Sequence, residues 1–330
     1  MAPTPARRRA LRALAGAAGS GLVGSPARAQ SGWPSRPLRF VVPFAPGGTS
    51  EIVARSVAAE LTRQLGQSVF VENKPGGAGT VAMVEVARAA PDGHTFILGH
   101  VGTLAVNPFM LEHPPYDAAR DFAPVTLLAR VPNLYVVHPD VPAATLKEFV
   151  AHVRANPGRL NYGSAGNASA GHLAMEYLKL VTRMFITHIP YRGTGPMLTD
   201  LIAGRIQATS AGLPALAPYL RSGRLRAIAV GTAQRTAAMP EVPTVAELGW
   251  PQFETSQWYG VLVPAGTPAD IIERLREECR KALRSSAVTA RFAGDGAETL
   301  AGTPREFAEF IAREQVVWKE VIRRAGIRPD

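Results

Sequence analysis

Short apolar runs alternate with amphipathic segments in the first third of the chain. Three short segments are rich in β-branched and aromatic residues and are predicted to be strands: 38–44 (LRFVVPF), 68–73 (SVFVEN) and 94–100 (HTFILGH). Between them, apolar residues recur at helical spacing over about 51–65 and 80–90. The order strand, helix, strand, helix, strand is typical of an α/β layer with a largely parallel sheet.

The same alternation begins again after an extended apolar stretch at 124–137. There Thr145 and Glu148 form the pattern of a capping box and predict the first helix of a second α/β unit. A second extended stretch, near 254–263, leads into a C-terminal part where only helices are predicted. Thr267 and Thr303, each followed by a proline, are the predicted N-caps of two of these helices, and Glu306 completes a capping box with Thr303. Because these late helices have no strands of their own, we expect them to pack on the first sheet.

The two extended stretches predict a bilobal α/β fold, in which two α/β domains are joined by two extended crossover strands around a cleft. A length of 330 residues fits two domains. The predicted segments are residues 1–29 as a signal peptide, 30–130 as the first part of domain one, 131–253 as domain two, and 254–330 as the strand and helices that return to domain one.

The N-terminal segment has the three parts of an export signal. Arg7, Arg8, Arg9 and Arg12 precede a short apolar stretch, and Ala27 and Ala29 form a small-x-small cleavage pattern. We therefore expect export to the periplasm, by the Sec route or, given the arginines, the Tat route. A disordered basic N-terminus is the alternative.

Composition excludes several classes of protein. A hydrophobic content of 46% with 19% charged residues predicts a globular chain with a packed core. The signal segment holds five arginines and no acidic residue, so the formal net charge of +10 becomes +5 without it. The remaining Lys and Arg are scattered and form no basic run with aromatics, which argues against nucleic-acid binding.

The cysteine and histidine patterns predict no metal site. Cys279 is the only cysteine, so an internal disulfide or a cysteine metal cluster is impossible, and its mid-helix position predicts a small apolar side chain. The seven histidines contain no H-E-x-x-H pattern. We single out His172, because it falls in the first turn of a predicted helix.

Three catalytic or cofactor motifs fail on particular residues. The loop PFAPGGTSE at 43–51 lacks the lysine of a phosphate-binding P-loop. In YGSAG, Tyr162 replaces the first glycine of a hydrolase nucleophile elbow. GAGTVA at 77–82 fits G-x-G-x-x-A, but it lies several residues beyond the strand and no acidic residue follows at the required distance. We predict no cofactor.

One local design recurs in three loops, PFAPGGTSE, YGSAGNASAGH and IPYRGTGPM, which begin at residues 43, 162 and 189. In each, a strand ends, glycines allow a tight turn, and a helix follows. Thr49 or Ser50 is predicted to cap the first helix and Ser169 the second. Free N–H groups at helix N-termini bind carboxylates as well as phosphates. Ordinary capped turns without a ligand are the alternative.

These motifs resemble those of the Bug receptors, the extracytoplasmic solute-binding proteins of tripartite tricarboxylate transporters. The matching segments include WPSRPLRFVVPFAPGG, LGQSVFVENKPG, YDAARDFAPVTLLA, LNYGSAGNASAGHL, HIPYRGTGPMLTDLIAGRI and WYGVLVPAGTP, and they run in family order from Trp33 to the C-terminus. The resemblance implies a non-enzymatic, monomeric periplasmic receptor. Such a receptor closes on a small carboxylate (a di- or tricarboxylate, an acidic amino acid or an aromatic acid) and delivers it to the membrane permease subunits.

The resemblance also implies the ligand-binding residues. Together with His172 from the pattern itself, the predicted set is Phe44, Ala45, Gly47, Gly48, Thr49, Ser50, Glu51, Ser164, Ala165, Gly166, Asn167, Ser169, His172, Tyr191 and Arg192. Glu51 replaces the aspartate usual in the family, and we hypothesise that it points into the cleft. The alternative is an acidic residue that only complements the helix dipole.

Two other functions stay open. A sensory or scavenging receptor without its own permease would have the same fold. A hydrolase that uses the same cleft would need a nucleophile and a base that converge there.

Overall fold

The structure, a computed structural model, describes residues 32–327. Its first part follows the predicted order of strands and helices. The elements are β1 (Leu38–Val42), α1 (Thr49–Leu65), β2 (Val69–Asn73), α2 (Thr80–Ala87), β3 (Thr95–His100) and the short α3 (Asn107–Met110). β1 pairs in parallel with both β2 and β3. The sequence pattern predicts neither the 3-10 turn at Gly77–Gly79 nor the π-helical turn at Gly102–Val106.

The second α/β part lies between two long strands, β4 (Phe122–Val137) and β9 (Ser256–Pro264). Its elements in chain order are α4 (Leu146–Ala155), β5 (Asn161–Ser164), α5 (Ala170–Thr182), β6 (Thr187–Pro190), α6 (Thr194–Ile202), β7 (Ala208–Gly212), α7 (Leu213–Arg221) and β8 (Arg226–Val230). β5 pairs in parallel with β6 and β7. The predicted arrangement of two α/β domains is therefore confirmed.

β4 and β9 are the two extended crossover strands. They pair antiparallel as far as Pro132 and Ser256, and from Asn133 onward β4 pairs with β7 and β8 instead. The sheet order β2-β1-β3-β9-β4-β7-β5-β6 consequently carries both domains on one path. The change of partner after Pro132 lies close to the predicted boundary at 130/131, and the boundaries themselves stay predictions.

The C-terminal helices return to the first domain, as the pattern predicts. They are α8 (Ala269–Arg284), α9 (Ser286–Gly294) and α10 (Pro304–Ala325), with a two-residue strand β10 (Glu298–Thr299), not predicted, that pairs with β4. Phe307 and Trp318 of α10 join the core that contains Val41 and Ile97 of the first sheet. Cys279 is buried on α8, where burial raises the pKa of its thiol to about 12, so it packs as an apolar group.

The second domain has apolar layers on both faces of its sheet. Along β4, Leu134 and Val136 pack in one layer, whereas Tyr135 and Val137 pack in the other. Successive side chains of a strand point to opposite faces. A strand buried on both faces therefore reads as the continuous apolar run seen in the sequence.

The helix starts confirm two predictions and correct two others. Thr145 of α4 and Thr303 of α10 each form a capping box with the glutamate three residues on. The prediction of Thr267 as the N-cap of α8 is wrong: Pro268 is the N-cap, and the Thr267 hydroxyl donates to the Pro264 carbonyl at 2.8 Å.

The predicted cap of α1 is also wrong. Neither Thr49 nor Ser50 caps the helix, because the N-cap is Gly48 and no side chain accepts a hydrogen bond there. Both hydroxyl residues lie inside the first turn. The first N–H groups of α1 thus receive no side-chain cap.

The predicted signal peptide, residues 1–29, lies outside the described residues. Within residues 32–327, no helix is both long enough and apolar enough to cross a membrane. No group of three or more His, Cys, Asp or Glu side chains in this range is placed to hold a metal ion.

Candidate functional site

A small cavity lies between the two domains, where the chain leaves the carboxyl ends of β1, β5, β6 and β7. This edge is where α/β sheets commonly bind ligands. The cavity has a volume of about 30 Å³, enough for a few water molecules. Its lining comes from both domains and consists of Phe44, Thr49, Ser50, His100, Ala165, Ser169, Ala170, Gly171, Thr194, Met197, Ser210, Ala211, Gln257 and Tyr259.

Three helices, α1, α5 and α6, direct their N-termini at this cavity. The N-caps Gly48 of α1 and Gly193 of α6 offer no side-chain acceptor, whereas Ser169 of α5 accepts from the N–H of His172. The first N–H groups of a helix have no partner inside the helix, and the helix dipole makes this end positive. The arrangement therefore suits an anion.

Another wall of the cavity is built from the paired strands β3 and β9. His100 and Tyr259 are direct neighbours in this antiparallel pair. The Tyr259 hydroxyl donates to Gln257 Oε1, and Gln257 Nε2 donates to Asn133 Oδ1 at 2.7 Å. Burial raises the pKa of Tyr259, so it stays a neutral hydroxyl. The wall is consequently polar but uncharged.

His100 ends β3 directly before the π-helical turn, a feature that often marks functional sites. Its ring stacks on Phe44 with centroids 4.5 Å apart. The side chain is buried, and burial lowers the pKa of His100 to about 4. The ring is therefore a neutral imidazole at pH 7.

The loop between β1 and α1 lies directly against the start of α6 in the other domain. The N–H of Ala45 donates to the Arg192 carbonyl at 3.3 Å. A Cβ on Gly47 would lie 3.2 Å from Gly195 Cα, and one on Gly48 would lie 2.9 Å from Thr194 Oγ1. The glycines of the PGG turn therefore allow the two domains to approach closely.

This close contact keeps the cavity small. An apolar cavity that holds benzene measures about 150 Å³, well above the volume found here. Entry of an acid with several carbon atoms therefore requires the two loops to separate.

Five of the fifteen predicted residues line the cavity: Phe44, Thr49, Ser50, Ala165 and Ser169. Four others, Ala45, Gly47, Gly48 and Arg192, lie at the contact between the domains. Asn167 instead lines a neighbouring groove together with Gly77 and Pro190. None of these placements tests ligand contact, so the binding residues stay predictions.

Glu51 does not line the cavity. Its carboxylate accepts from the N–H of Gly47 at 2.6 Å and from Arg55 Nε at 2.7 Å. Because both partners lie on its own loop and helix, the side chain is held back from the cleft. This geometry supports the alternative in which Glu51 complements the N-terminus of α1.

Ser164, Gly166 and His172 form the support behind the second loop. Ser164 Oγ lies 2.7 Å from His188 Nε2 and 3.1 Å from the N–H of Gly166, which donates to it. His172 stacks on His188 with centroids 4.2 Å apart, and its Nδ1 accepts from the N–H of Ala168 at 3.2 Å. Burial and the charge of Lys179 lower the pKa of His172 to about 4.

This serine and histidine pair bears on the hydrolase alternative. Ser164 is fully buried and is bonded within its own loop, and neither Ser164 nor His188 lines the cavity. A nucleophile must be within reach of a substrate. The pair is placed to hold the loop in shape.

Tyr191 also supports its own domain. Its hydroxyl donates to Asp200 Oδ2 at 2.7 Å, and Asp200 also accepts from Arg205. Tyr191 is not among the lining residues. Its predicted role in the wall of the site stays a prediction.

Sequence reasoning missed the wall residues His100, Gln257 and Tyr259, and Thr194, Met197 and Ser210 of domain two. Gln257 and Tyr259 lie within an extended stretch that reads as core. Two signals were available: His100 is a histidine at the end of a strand and two residues before a glycine, and Thr194 and Met197 lie in the loop IPYRGTGPM that the pattern singles out.

Known proteins are similar to this chain over most of its length. A family model described as "Tripartite tricarboxylate transporter family receptor" matches residues 53–327. Protein BugT of Bordetella pertussis (strain Tohama I) is 37% identical over 297 residues, which cover 90% of this chain and 91% of the relative.

Two solved structures share the fold. R. palustris Rpa4515 with adipate has a TM-score of 0.88 and 39% identity, and the match covers 90% of this chain and 100% of that one. MatC (Rpa3494) from Rhodopseudomonas palustris with bound malate has a TM-score of 0.83 and 34% identity, over 88% of this chain and 99% of that one. Both neighbours hold a dicarboxylate.

Proposed function

The chain belongs to the tripartite tricarboxylate transporter receptor family, and from that premise we propose that it captures one small carboxylate between its two domains and delivers it to membrane permease subunits of that transporter type. The family is one of periplasmic solute receptors. Capture of a small carboxylate by this chain and its delivery to permease subunits are the parts that we propose.

The convergence of the α1, α5 and α6 N-termini on one cavity carries this proposal. Among the described residues that line the cavity, none is a lysine or an arginine. A carboxylate there is bound by N–H groups, hydroxyls and helix dipoles, which suit a singly charged group. The adipate and malate in the two solved neighbours support a carboxylate of this size.

Binding residues follow from the same geometry. We propose that Thr49, Ser50, Ala165 and Ser169 hold one carboxylate, partly through their backbone N–H groups. Gly47 and Gly48 act by letting the domains close. The receptor acts as a monomer without a cofactor, and residues 1–29 direct its export to the periplasm.

A thermal-shift panel tests the proposal. Purified protein is unfolded and refolded to remove bound solute, and its melting temperature is then measured with adipate, malate, citrate, glutamate or benzoate, and with glucose as a neutral control. A ligand that binds only the folded state raises the midpoint by mass action. We expect at least one acid to raise it and glucose to leave it unchanged. A rise with glucose alone would overturn the proposal.

Two further measurements separate the rival functions. NMR of the protein with its best acid over several hours reports turnover, and chemical conversion would move the protein to the hydrolase class. Uptake of the labelled acid by cells with and without the gene tests delivery. Unchanged uptake would favour a sensory or scavenging receptor.

A further inference from the structure

The hydrogen bonds of His100 define which ring nitrogen carries the proton. Nδ1 lies 2.7 Å from the N–H of Gly102 and 3.2 Å from the N–H of Thr103, and both are donors. A nitrogen that accepts from N–H groups presents its lone pair and carries no hydrogen of its own. In a neutral imidazole the proton then resides on Nε2, so Nε2–H is a donor.

This donor has no acceptor within the described part of the chain. Nε2 is buried from solvent without a hydrogen-bond partner, and the His100 side chain is 3% exposed. Buried donors are nearly always satisfied in native proteins, and each exception calls for a reason. The residue lines the cavity and Nδ1 is bonded to its own turn, so Nε2–H is the polar group of the ring that is available to a ligand.

The neighbouring wall groups are already engaged. The Tyr259 hydroxyl proton is donated to Gln257 Oε1, and Gln257 Nε2 donates to Asn133 Oδ1. Two described groups that line the cavity, His100 Nε2 and Ser210 Oγ, are buried without a hydrogen-bond partner, and His100 is the one on the wall of β3 and β9. It lies on domain one, and it lines the cavity together with Ser169 and the start of α5 on domain two.

We propose that His100 determines ligand specificity, by donating from Nε2 to a ligand oxygen other than those of the carboxylate held at the helix N-termini. This inference rests on the proposed function. It adds that the ligand carries a second oxygen acceptor, such as a second carboxylate or a hydroxyl group. A plain monocarboxylate leaves Nε2–H unsatisfied in the closed site and is bound more weakly for that reason.

Two variants separate the functions of the two ring nitrogens. In His100→Asn the amide oxygen can replace Nδ1 as acceptor for the Gly102 and Thr103 N–H groups, but nothing replaces Nε2–H. In His100→Gln the amide NH₂ reaches farther and can replace Nε2–H, but the turn loses its acceptor. Both variants lose the stacking on Phe44, so this loss cancels in the comparison.

Affinity is measured by calorimetry for adipate and hexanoate, which have equal chain length, and for malate and butyrate. A hydrogen bond to a charged group contributes on the order of 10-fold to 100-fold in affinity. We expect wild type to prefer each dicarboxylate over its matched monocarboxylate. His100→Asn should lose that preference and keep its monocarboxylate affinity, whereas His100→Gln should keep the preference.

Melting temperatures without ligand provide the structural check. We expect both variants to melt below wild type, because both lose the stacking on Phe44, and His100→Gln to melt lower than His100→Asn, because only the latter keeps a turn acceptor. If His100→Asn bound adipate and malate as wild type does, or lost affinity equally for all four acids, the inference would be wrong. If His100→Asn failed to fold, a loss of preference in His100→Gln would also overturn it.

The assignment of His100 and the proposed function are refuted by different results. Wild type that binds a carboxylate, with variants that keep its preference, refutes only the assignment of His100. Wild type that binds no acid of the thermal-shift panel refutes the proposed function, and the inference with it.

Discussion

Replacement of Gly195 by alanine tests whether the two domains close around the ligand. A Cβ on Gly195 would lie 2.7 Å from the carbonyl oxygen of Pro46 in the opposite domain. The backbone at Gly195 is outside the left-handed region, and alanine favours a helix over glycine by up to about 1 kcal/mol. The substitution therefore obstructs the domain contact while leaving α6 intact or slightly more stable.

The structure gives the size of the obstruction. Ordinary contact of a Cβ begins at 3.4 Å, so the two backbone segments must separate by roughly 0.7 Å relative to the 2.7 Å found. Overpacking of this kind costs about 1–3 kcal/mol, which corresponds to an affinity loss of about fivefold to 150-fold. The unliganded protein avoids the penalty, because its domains can open without unfolding.

The assay compares ligand affinity by calorimetry with melting temperature in the absence of ligand. Gly294→Ala is the matched control, since it makes the same change at a helix end where nothing lies within 4 Å of the added Cβ. We expect Gly195→Ala to lose affinity and keep its melting temperature, and Gly294→Ala to keep both. Wild-type affinity in Gly195→Ala would refute the role of closure, and a large drop in its unliganded melting temperature would show that the contact stabilises the fold itself.

Two other substitutions test the site and its support. We expect Glu51→Gln to leave carboxylate affinity and preference unchanged within about threefold. The Glu51 side chain is bonded to Gly47 and Arg55, and its interaction with the α1 dipole contributes only about 0.3–1 kcal/mol. A changed ligand preference in calorimetry would support the hypothesis that Glu51 points into the cleft. His100 and His172 have pKa values of about 4 in the folded protein, below the ordinary value of about 6.5. The unfolded chain therefore takes up protons first, and stability should fall as pH drops from about 6.5 to about 4, by up to about 3 kcal/mol per histidine. His172→Asn should flatten this dependence in urea unfolding at pH 7, 6 and 5, and a curve parallel to that of wild type would contradict the shift.

The parts of the fold that follow from local chemistry could be predicted from the sequence. The capping boxes at Thr145 and Thr303 each involve residues three positions apart, and the crossover strands are long apolar runs. The N-cap of α1 could not be predicted, because Gly48 is favoured by the close approach of Thr194 from the other domain. Local preference for Thr49 or Ser50 was overridden by a tertiary contact.

The same division applies to the site. Thr49, Ser50 and Ser169 could be predicted, because hydroxyl residues at the start of a helix after a strand have a local meaning. His100 and Tyr259 could not be predicted, because their pairing depends on the register of two strands that are distant in sequence. The direction of Glu51 depends on which partner its carboxylate reaches, and the pattern alone left both directions open.

Backbone groups of the loops and side chains of the wall contribute differently to affinity and to specificity. The N-termini of α1, α5 and α6 present backbone N–H groups, which recognise any carboxylate and depend little on side-chain identity. Gly47, Gly48 and Gly195 let the two domains approach closely, and under the proposed function they link binding to closure. The wall of β3 and β9 is set by side chains, and there the neutral ring of His100 offers a donor that no residue in the described range 32–327 satisfies. A substitution in the loops should therefore weaken all ligands together, whereas a substitution at His100 should change their order.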